Sequence, residues 1–172
     1  ASAVANQLGV AARDMTRAVE EFAGLEHALQ SVAEVGRVHF VNDSKATNIE
    51  AARRALESCG HHIVPIMGGR FKGGDLRSLR QTLEARADTV VVLGEARGQI
   101  RDAVGGAVRV VEVDSLNKAV RVAYGLAVPG GTVLLAPACA SLDMFRDYAE
   151  RGRVFIEAVR QLREEVNEAR EQ

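Results

Sequence analysis

The sequence predicts a doubly wound α/β fold, with a mostly parallel Rossmann-like sheet, helices on both faces and an antiparallel hairpin near the N-terminus. Short, nearly continuous apolar runs alternate with helical segments, and such runs are typical of parallel strands that are buried on both faces. The first two apolar runs are separated only by a short turn at Gly36-Arg37, which is typical of a hairpin.

The N-terminal stretch predicts two helices. Residues 4–8 are Ala-rich and apolar, Gly9 interrupts them, and Asp14 is expected to cap a second helix. The opening has no N-terminal cap of its own. We therefore expect residues 1–23 to be the helical tail of an upstream domain and residues 24–172 to form the α/β domain.

The remaining elements are predicted from apolar periodicity and from the glycine and polar residues that close each run. The hairpin strands are expected at 29–35 and 38–41, the later strands at 63–67, 89–93, 108–113 and 132–136, and the helices at 49–58, 76–86, 96–104 and 116–128, with a last helix through Phe155 and Leu162. Ligands bind beyond the carboxyl ends of the strands in such sheets, so the site is expected in the loops that follow them.

The composition is that of one ordinary globular domain. The chain has 172 residues, with 22 Lys and Arg against 23 Asp and Glu, and a formal net charge of −1. This balance disfavours a nucleic-acid or membrane-surface partner. Cys59 and Cys139 form no CxxC pair, which disfavours a disulfide scaffold or a structural zinc site and favours the cytoplasm.

Three strand exits are rich in polar and glycine residues, and they span 42–48, 68–75 and 136–143. In the first, Lys45 lies where a helix begins and would attract an anion, unless Asp43, Ser44 or Thr47 merely caps the helix. The second has four glycines around two cations, one of them Lys72, and is either a ligand loop or a surface turn. It does not match the phosphate loop GxxxxGK[ST], and the chain lacks GxGxxG, which disfavours a nicotinamide-cofactor domain.

The third exit contains a serine and a cysteine. Ser141 is expected at the start of a helix whose free N–H groups could hold a carboxylate, and it is not in a GxSxG elbow. Cys139 is expected to be a buried, inert thiol. His39 and the pair His61-His62 lack metal-ligand spacing and are expected at the surface, so no metal site is predicted.

Together these segments resemble the Mur ligases of peptidoglycan synthesis, and among them the members that add D-glutamate. The resemblance is carried by Gly24–His27, Phe40–Asn48, Gly68–Asp75, Pro137–Phe145 and Glu150–Gly152. Their order and spacing fit the family over most of the chain. The segments DSKATN and PACASLDMF are specific to the D-glutamate-adding members, whereas the glycine-lysine loop is less so.

The resemblance implies a three-domain ligase that depends on ATP and Mg²⁺, of which this chain is the carboxyl-terminal domain and, at residues 1–23, the end of the central ATPase domain. ATP would phosphorylate the carboxylate of UDP-N-acetylmuramoyl-L-alanine, and the amine of D-glutamate would attack the acyl phosphate. The implied metal ligands lie upstream, and the chain alone is expected to be inactive.

The resemblance also implies a D-glutamate site. Thr47, Lys72, Ser141 and the backbone of Leu142 are implied to hold the side-chain carboxylate. Tyr148 stands where the family usually has Phe and is implied to pack against the substrate.

Further residues are implied for catalysis and for ATP. Lys45 is implied to lie near the tetrahedral centre and to stabilise its charge. His27 and Asp43 are implied to contact ATP, and the arginine that usually follows this histidine is replaced here by Ala28.

Two alternatives remain open. One is a related glutamate-adding ligase of the folylpolyglutamate type, against which the PACAS segment argues. The other is a free-standing α/β binding module that kept only the fold.

Overall fold

The computed structural model describes residues 2–22 and 24–171, apart from the side chain of Glu171. Residues 1, 23 and 172, where the two expected domains begin or end, lie outside the described residues. The helices are α1 (Ser2–Gln7), α2 (Ala12–Glu20), α3 (Ile49–Ser58), α4 (Arg80–Arg86, preceded by a 3₁₀ turn at Leu76–Leu79), α5 (Arg97–Val104), α6 (Leu116–Leu126) and α7 (Tyr148–Glu171). The strands are β1 (Gln30–Val35), β2 (Val38–Asn42), β3 (Ile63–Gly68), β4 (Thr89–Leu93), β5 (Arg109–Glu112) and β6 (Thr132–Leu135).

The six strands form one sheet in the order β1-β2-β6-β3-β4-β5. β1 and β2 are antiparallel and form the expected hairpin, and every other neighbouring pair is parallel. β6 lies between β2 and β3, so the chain passes from β2 over β6 to β3 and later returns from the far edge at β5. This mixed, mostly parallel sheet confirms the predicted fold class.

Helices cover both faces of the sheet, which explains why the strands read as continuous apolar runs. One apolar cluster joins strand residues such as Ile63 and Met67 to α3, α4 and α5. The other joins Val64 and Ile66 to α6 and α7, where Phe155 is fully buried. Successive side chains of a strand point to opposite faces, and neighbouring residues of β3 therefore serve different clusters.

Side-chain caps fix the starts of the helices that follow β2 and β5. The Asn48 side chain accepts a hydrogen bond from Ala51 N at 2.9 Å, and the Ser115 side chain accepts one from Lys118 N at 3.4 Å. Each cap satisfies an N–H group that the helix itself leaves without a partner.

Two sequence-based expectations about helix starts are wrong. Asp14 does not cap α2, because the helix already begins at Ala12 and Asp14 lies in its first turn, paired with Arg17 at 3.2 Å. Ser141 does not begin a helix. It is the first residue of a turn in which its carbonyl oxygen accepts hydrogen bonds from Met144 N and Phe145 N. The next helix, α7, begins only at Tyr148.

No helix in the described ranges combines the length and the apolar character needed to cross a bilayer.

Candidate functional site

Three loops lie together at the carboxyl edge of the sheet. We call them the β2 loop (residues 43–48), the β3 loop (residues 69–75) and the β6 loop (residues 136–147). They surround the position where the strand order reverses, which is where open α/β sheets bind their ligands.

Backbone hydrogen bonds connect the β6 loop to the other two loops. Ala138 N donates to Ala46 O at 3.0 Å, which joins it to the β2 loop. Arg70 and Ala140 exchange two backbone hydrogen bonds of 2.8 and 2.9 Å, which join it to the β3 loop. The three polar strand exits therefore meet at one edge of the sheet.

The side chains of Lys72 and Thr47 come from different loops and are in contact. Lys72 Nζ donates to Thr47 Oγ1 at 3.2 Å, and the lysine is exposed. An ammonium beside a hydroxyl, both next to the start of α3, can bind a carboxylate through charge and two hydrogen-bond donors.

The other D-glutamate candidates lie on the β6 loop and at the start of α7. Ser141 is buried, whereas Leu142 is 58% exposed and Tyr148 is 39% exposed. Ser44 Oγ donates to the backbone oxygen of Tyr148 at 2.7 Å, so the β2 loop fixes the position of the first residue of α7. Thr47, Lys72, Ser141 and Leu142 thus lie in adjoining loops, and Tyr148 is the first residue of α7, directly after the β6 loop.

Lys45 is exposed at the same edge, and its backbone N donates to His27 O at 3.0 Å. The neighbouring carboxyl of Asp43 accepts a hydrogen bond from Leu29 N at 3.2 Å. Burial raises the pKa of Asp43, and the Leu29 N–H and the charge of Lys45 only partly oppose that rise.

His27 is only 4% exposed and lies beneath the β2 loop. Asn42 Oδ1 accepts from Ser44 N at 3.1 Å, which directs Asn42 Nδ2 toward His27 Nδ1 at 2.9 Å. Nδ1 therefore accepts a hydrogen bond and the proton of the neutral ring lies on Nε2. The His27 ring also meets Tyr148 edge-on, with 6.3 Å between centroids, so the ATP candidates and the D-glutamate candidates are neighbours.

Arg151 is a central residue of the site to which the sequence analysis gave no role. It is 3% exposed, and its guanidinium donates to Ser44 Oγ and Ser44 O at 3.0 and 2.9 Å. It also donates to Cys139 O at 3.1 Å and Gly68 O at 3.4 Å. One cation thus binds the exits of β2, β3 and β6 at once, and burial lowers its pKa to about 10, so it stays charged at neutral pH.

A signal for Arg151 is present in the sequence. It precedes Phe155 by four residues and lies on the same apolar stripe of α7 as Val159 and Leu162, all three of which are buried. A charged residue on the core-facing stripe of a helix needs buried hydrogen-bond partners. Such a residue is therefore a candidate for holding loops together.

Cys139 is buried as expected, and burial raises the pKa of its thiol to about 11. At neutral pH it is a protonated thiol, which is a poor nucleophile. Within residues 2–22 and 24–171, no three His, Cys, Asp or Glu side chains are grouped so that they could hold a metal ion.

Comparison with known proteins identifies the family. The Mur ligase, glutamate ligase domain model matches residues 27–139. Similar sequences include the UDP-N-acetylmuramoylalanine–D-glutamate ligases of Chlorobaculum parvum, 42% identical over 93% of this chain, and of Acidobacterium capsulatum, 45% identical over 88%. The chain spans only 34% and 33% of the length of these two relatives.

Solved structures share the fold at lower identity. MurF ligase from Thermotoga maritima in complex with ADP matches with a TM-score of 0.63 at 17% identity, over 97% of this chain and 37% of that one. A bifunctional folylpolyglutamate synthase/dihydrofolate synthase from Yersinia pestis matches with a TM-score of 0.56 at 19% identity, over 80% of this chain and 32% of that one. The family match, which covers more than half of the residues, confirms the resemblance: the chain belongs to the family of Mur ligase glutamate ligase domains.

Proposed function

We propose that this chain is the D-glutamate-binding, carboxyl-terminal domain of an ATP-dependent ligase that joins D-glutamate to UDP-N-acetylmuramoyl-L-alanine in peptidoglycan synthesis. The observation that carries the proposal is the contact of Lys72 with Thr47 at the carboxyl edge of the sheet, beside the β6 loop. The identity of more than 40% to two UDP-N-acetylmuramoylalanine–D-glutamate ligases supports the choice of substrate.

D-glutamate has two carboxylates and one amine, and the site provides complementary groups for a carboxylate. Lys72 and Thr47 supply the charge and the donors for one carboxylate, while Ser141 and the backbone of Leu142 supply donors from the other side. Tyr148 is exposed enough to cover the aliphatic part of the ligand. We infer that these residues orient the amine toward the acyl phosphate.

Charge stabilisation at the reacting carbon is assigned to Lys45. Attack of the amine on the acyl phosphate forms a tetrahedral centre that carries negative charge, and its collapse forms the amide and releases phosphate. Lys45 is exposed next to Thr47 on the β2 loop, where an ammonium lowers the energy of that charge. The pre-positioned amine replaces a bimolecular encounter, which supplies the other large part of the rate.

In our proposal the metal ligands lie in the upstream domains, and this chain supplies two contacts to ATP. Asp43 and His27 are its proposed ATP contacts, because both lie at the same edge, next to Lys45 and Tyr148. The described residues offer no cluster of metal-ligating side chains, so we assign the Mg²⁺ ligands to the upstream domains. Residues 1–23 would be the end of the central ATPase domain, and a nucleotide-dependent enzyme of this kind would act in the cytoplasm.

An NMR titration of the isotope-labelled chain with D-glutamate and with L-glutamate tests the proposal. We expect amide shifts at Thr47, Lys72 and Ser141 with the D-isomer only. Lys72→Ala should weaken binding by about tenfold or more, because it removes a charge-assisted hydrogen bond to the carboxylate. Lys118→Ala is the matched control, since Lys118 lies on α6 and pairs with Asp114.

Each other outcome has a definite meaning. Equal shifts with both isomers, or a preference for L-glutamate, would favour a ligase of the folylpolyglutamate type. A Lys72→Ala variant that binds D-glutamate as well as the unmodified chain does would show that the assignment of Lys72 is wrong. Absence of shifts at millimolar D-glutamate would contradict binding by this chain alone.

A further inference from the structure

The exit of β4 lies beneath two of the three loops of the candidate site. We call residues 94–96 the β4 turn. Ala96 N donates to Gly69 O at 2.8 Å, and Gly69 N donates to Leu93 O at 3.3 Å. The start of the β3 loop is thus hydrogen-bonded to the β4 turn and to the last residue of β4. None of the sequence-based site residues lies in this turn.

Asp143 connects the β6 loop to the same turn. Its Oδ2 accepts a hydrogen bond from the backbone N of Glu95 at 2.8 Å. A Cβ atom at position 94 would lie 2.5 Å from that oxygen, so the glycine at this position is what lets the carboxylate reach the backbone. Gly94 also has a φ of +76°, a conformation that side chains disfavour.

A tight turn connects Asp143 to Ser141 and Leu142, which would bind D-glutamate. Met144 N and Phe145 N both donate to Ser141 O, at 3.1 and 2.9 Å, and close a tight turn around Leu142 and Asp143. A contact that holds Asp143 in place therefore also restrains the backbone of Ser141 and Leu142.

The second carboxylate oxygen faces the interior. Asp143 Oδ1 is buried and accepts no hydrogen bond from the described residues. Asp143 lines a cavity of about 10 Å³ together with Arg151, whose positive charge attracts it. Attraction to Arg151 and the hydrogen bond from Glu95 thus act on the same carboxylate, one from the core and one from the β4 turn.

We propose that Asp143 is a positioning residue, which binds the Ser141–Leu142 part of the β6 loop to the β4 turn and keeps the amino-acid site formed before substrate arrives. The identity of the ligand rests on the function proposed above, but the positioning role does not. Asp143 accepts its hydrogen bond from the backbone N–H of Glu95, so the Glu95 side chain is not needed for this contact. That side chain instead forms an exposed ion pair with Arg70 at 2.9 Å. Such a pair contributes little, and Glu95→Gln is therefore the matched control.

The positioning role is tested first without ligand, by amide hydrogen exchange of the whole chain. In Asp143→Ala we expect exchange at Glu95 and Phe145 to accelerate by about tenfold, as loss of a hydrogen bond to a charged acceptor predicts. Amides of α3 and α4 should keep their rates. Asp143→Asn retains an acceptor oxygen and should restore most of the protection, and Glu95→Gln should change neither site.

Unchanged exchange at Glu95 and Phe145 in Asp143→Ala would overturn the proposal. Uniform acceleration across α3, α4 and the β6 loop would also overturn it, because it would show a general effect on stability.

The second test is the titration with D-glutamate. We expect Asp143→Ala to weaken binding by about fivefold to tenfold and Asp143→Asn by less, because a site that must be ordered on binding loses affinity. Equal affinity of Asp143→Ala and the unmodified chain would overturn the positioning role and leave the proposed function standing. If the unmodified chain binds no D-glutamate while the exchange result holds, the proposed function fails and the positioning role stands.

Discussion

At the scale of single residues, the loops of the site depend on the buried charge of Arg151. Its guanidinium donates hydrogen bonds to three carbonyl oxygens and one hydroxyl at the exits of three strands. Each of these acceptors would cost about 1–3 kcal/mol if it were left buried without a donor. A guanidinium is suited to the position because its donors point in several fixed directions, which an ammonium cannot reproduce.

Asp43 makes the stability of the domain depend on pH. Its pKa is raised in the folded chain by burial, so the fold favours the protonated form. Between the unfolded and the folded pKa the native state binds more protons, and stability therefore falls as pH rises through that window. Asp43→Asn, which keeps an acceptor for Leu29 N, should unfold at higher urea concentration than the unmodified chain at pH 7.

The pH dependence provides the control for this prediction. Well below the ordinary aspartate pKa of 3.8, Asp43 is neutral in the folded and in the unfolded state, and the urea midpoints of the two chains should converge. A difference of the same size at pH 7 and in this acidic range would contradict the electrostatic explanation. In the proposed ligase the same substitution should weaken ATP use, because the carboxylate is kept for its contact and not for stability.

From the sequence we proposed residues that would contact ligands, but not the residues that connect the loops of the candidate site. Lys72 and Thr47 could be proposed as carboxylate ligands only through the family resemblance, because a surface turn and a helix cap explain their local sequence pattern as well. Arg151 and Asp143 received no role, although both lie in the segments that carry the resemblance. The apolar stripe of α7 marks Arg151 as a buried charge, but the carbonyl and N–H groups that the fold brings to Arg151 and Asp143 lie far away in the chain and cannot be identified from local sequence.

At the scale of elements, the loops depend on glycines whose missing side chains leave room for neighbouring backbone. A Cβ atom at Gly69 would lie 2.2 Å from Ala140 O, and Gly69 has a φ of +123°. Because that contact is with backbone, it cannot be relieved by a rotamer change. Gly69→Ala should destabilise the chain by about 2–3 kcal/mol, through strain and displacement of the β6 loop.

Gly125→Ala is the matched control for this prediction. Gly125 is exposed near the end of α6, and a Cβ atom there would meet nothing within 4 Å. Alanine is favoured over glycine in a helix, so this change should stabilise by about 0.5–1 kcal/mol. Chemical denaturation of both variants measures the two effects, and destabilisation of equal size would show that the contact with Ala140 is not the cause.

Strands that follow from apolar periodicity were predicted well. Helix starts, which depend on caps and turns, were predicted poorly. The strands and the hairpin follow from apolar runs and from Gly36-Arg37, and they are confirmed within a few residues. The helix expected at Ser141 is instead a turn, because Asp143 is drawn to the β4 turn and its neighbours close around it. Long-range contacts of this kind override local preference.

At the scale of the whole molecule, the sheet and its two layers of helices form a core that does not involve the N-terminal helices. Both apolar clusters are built from residues between Val35 and Leu162. The doubly wound fold could be predicted from sequence because every strand, apart from the hairpin, is followed or preceded by a helix of crossover length.

Removal of residues 1–22 is therefore expected to leave the α/β domain folded. No residue of α1 or α2 is buried, although Leu8, Val19 and Phe22 of this segment are large and exposed. Since burial of apolar area is the main source of stability, the truncated chain should keep its free energy of unfolding within about 0.5 kcal/mol and its D-glutamate-induced shifts.

The truncation also tests where those apolar side chains belong. If they pack on upstream domains, as we propose, the chain without residues 1–22 should be more soluble and less prone to self-association, because it exposes less apolar surface. Urea denaturation and light scattering of the two chains measure stability and association separately. A loss of several kcal/mol on truncation would show that α1 and α2 stabilise this domain itself, and it would contradict their assignment to the end of the central domain.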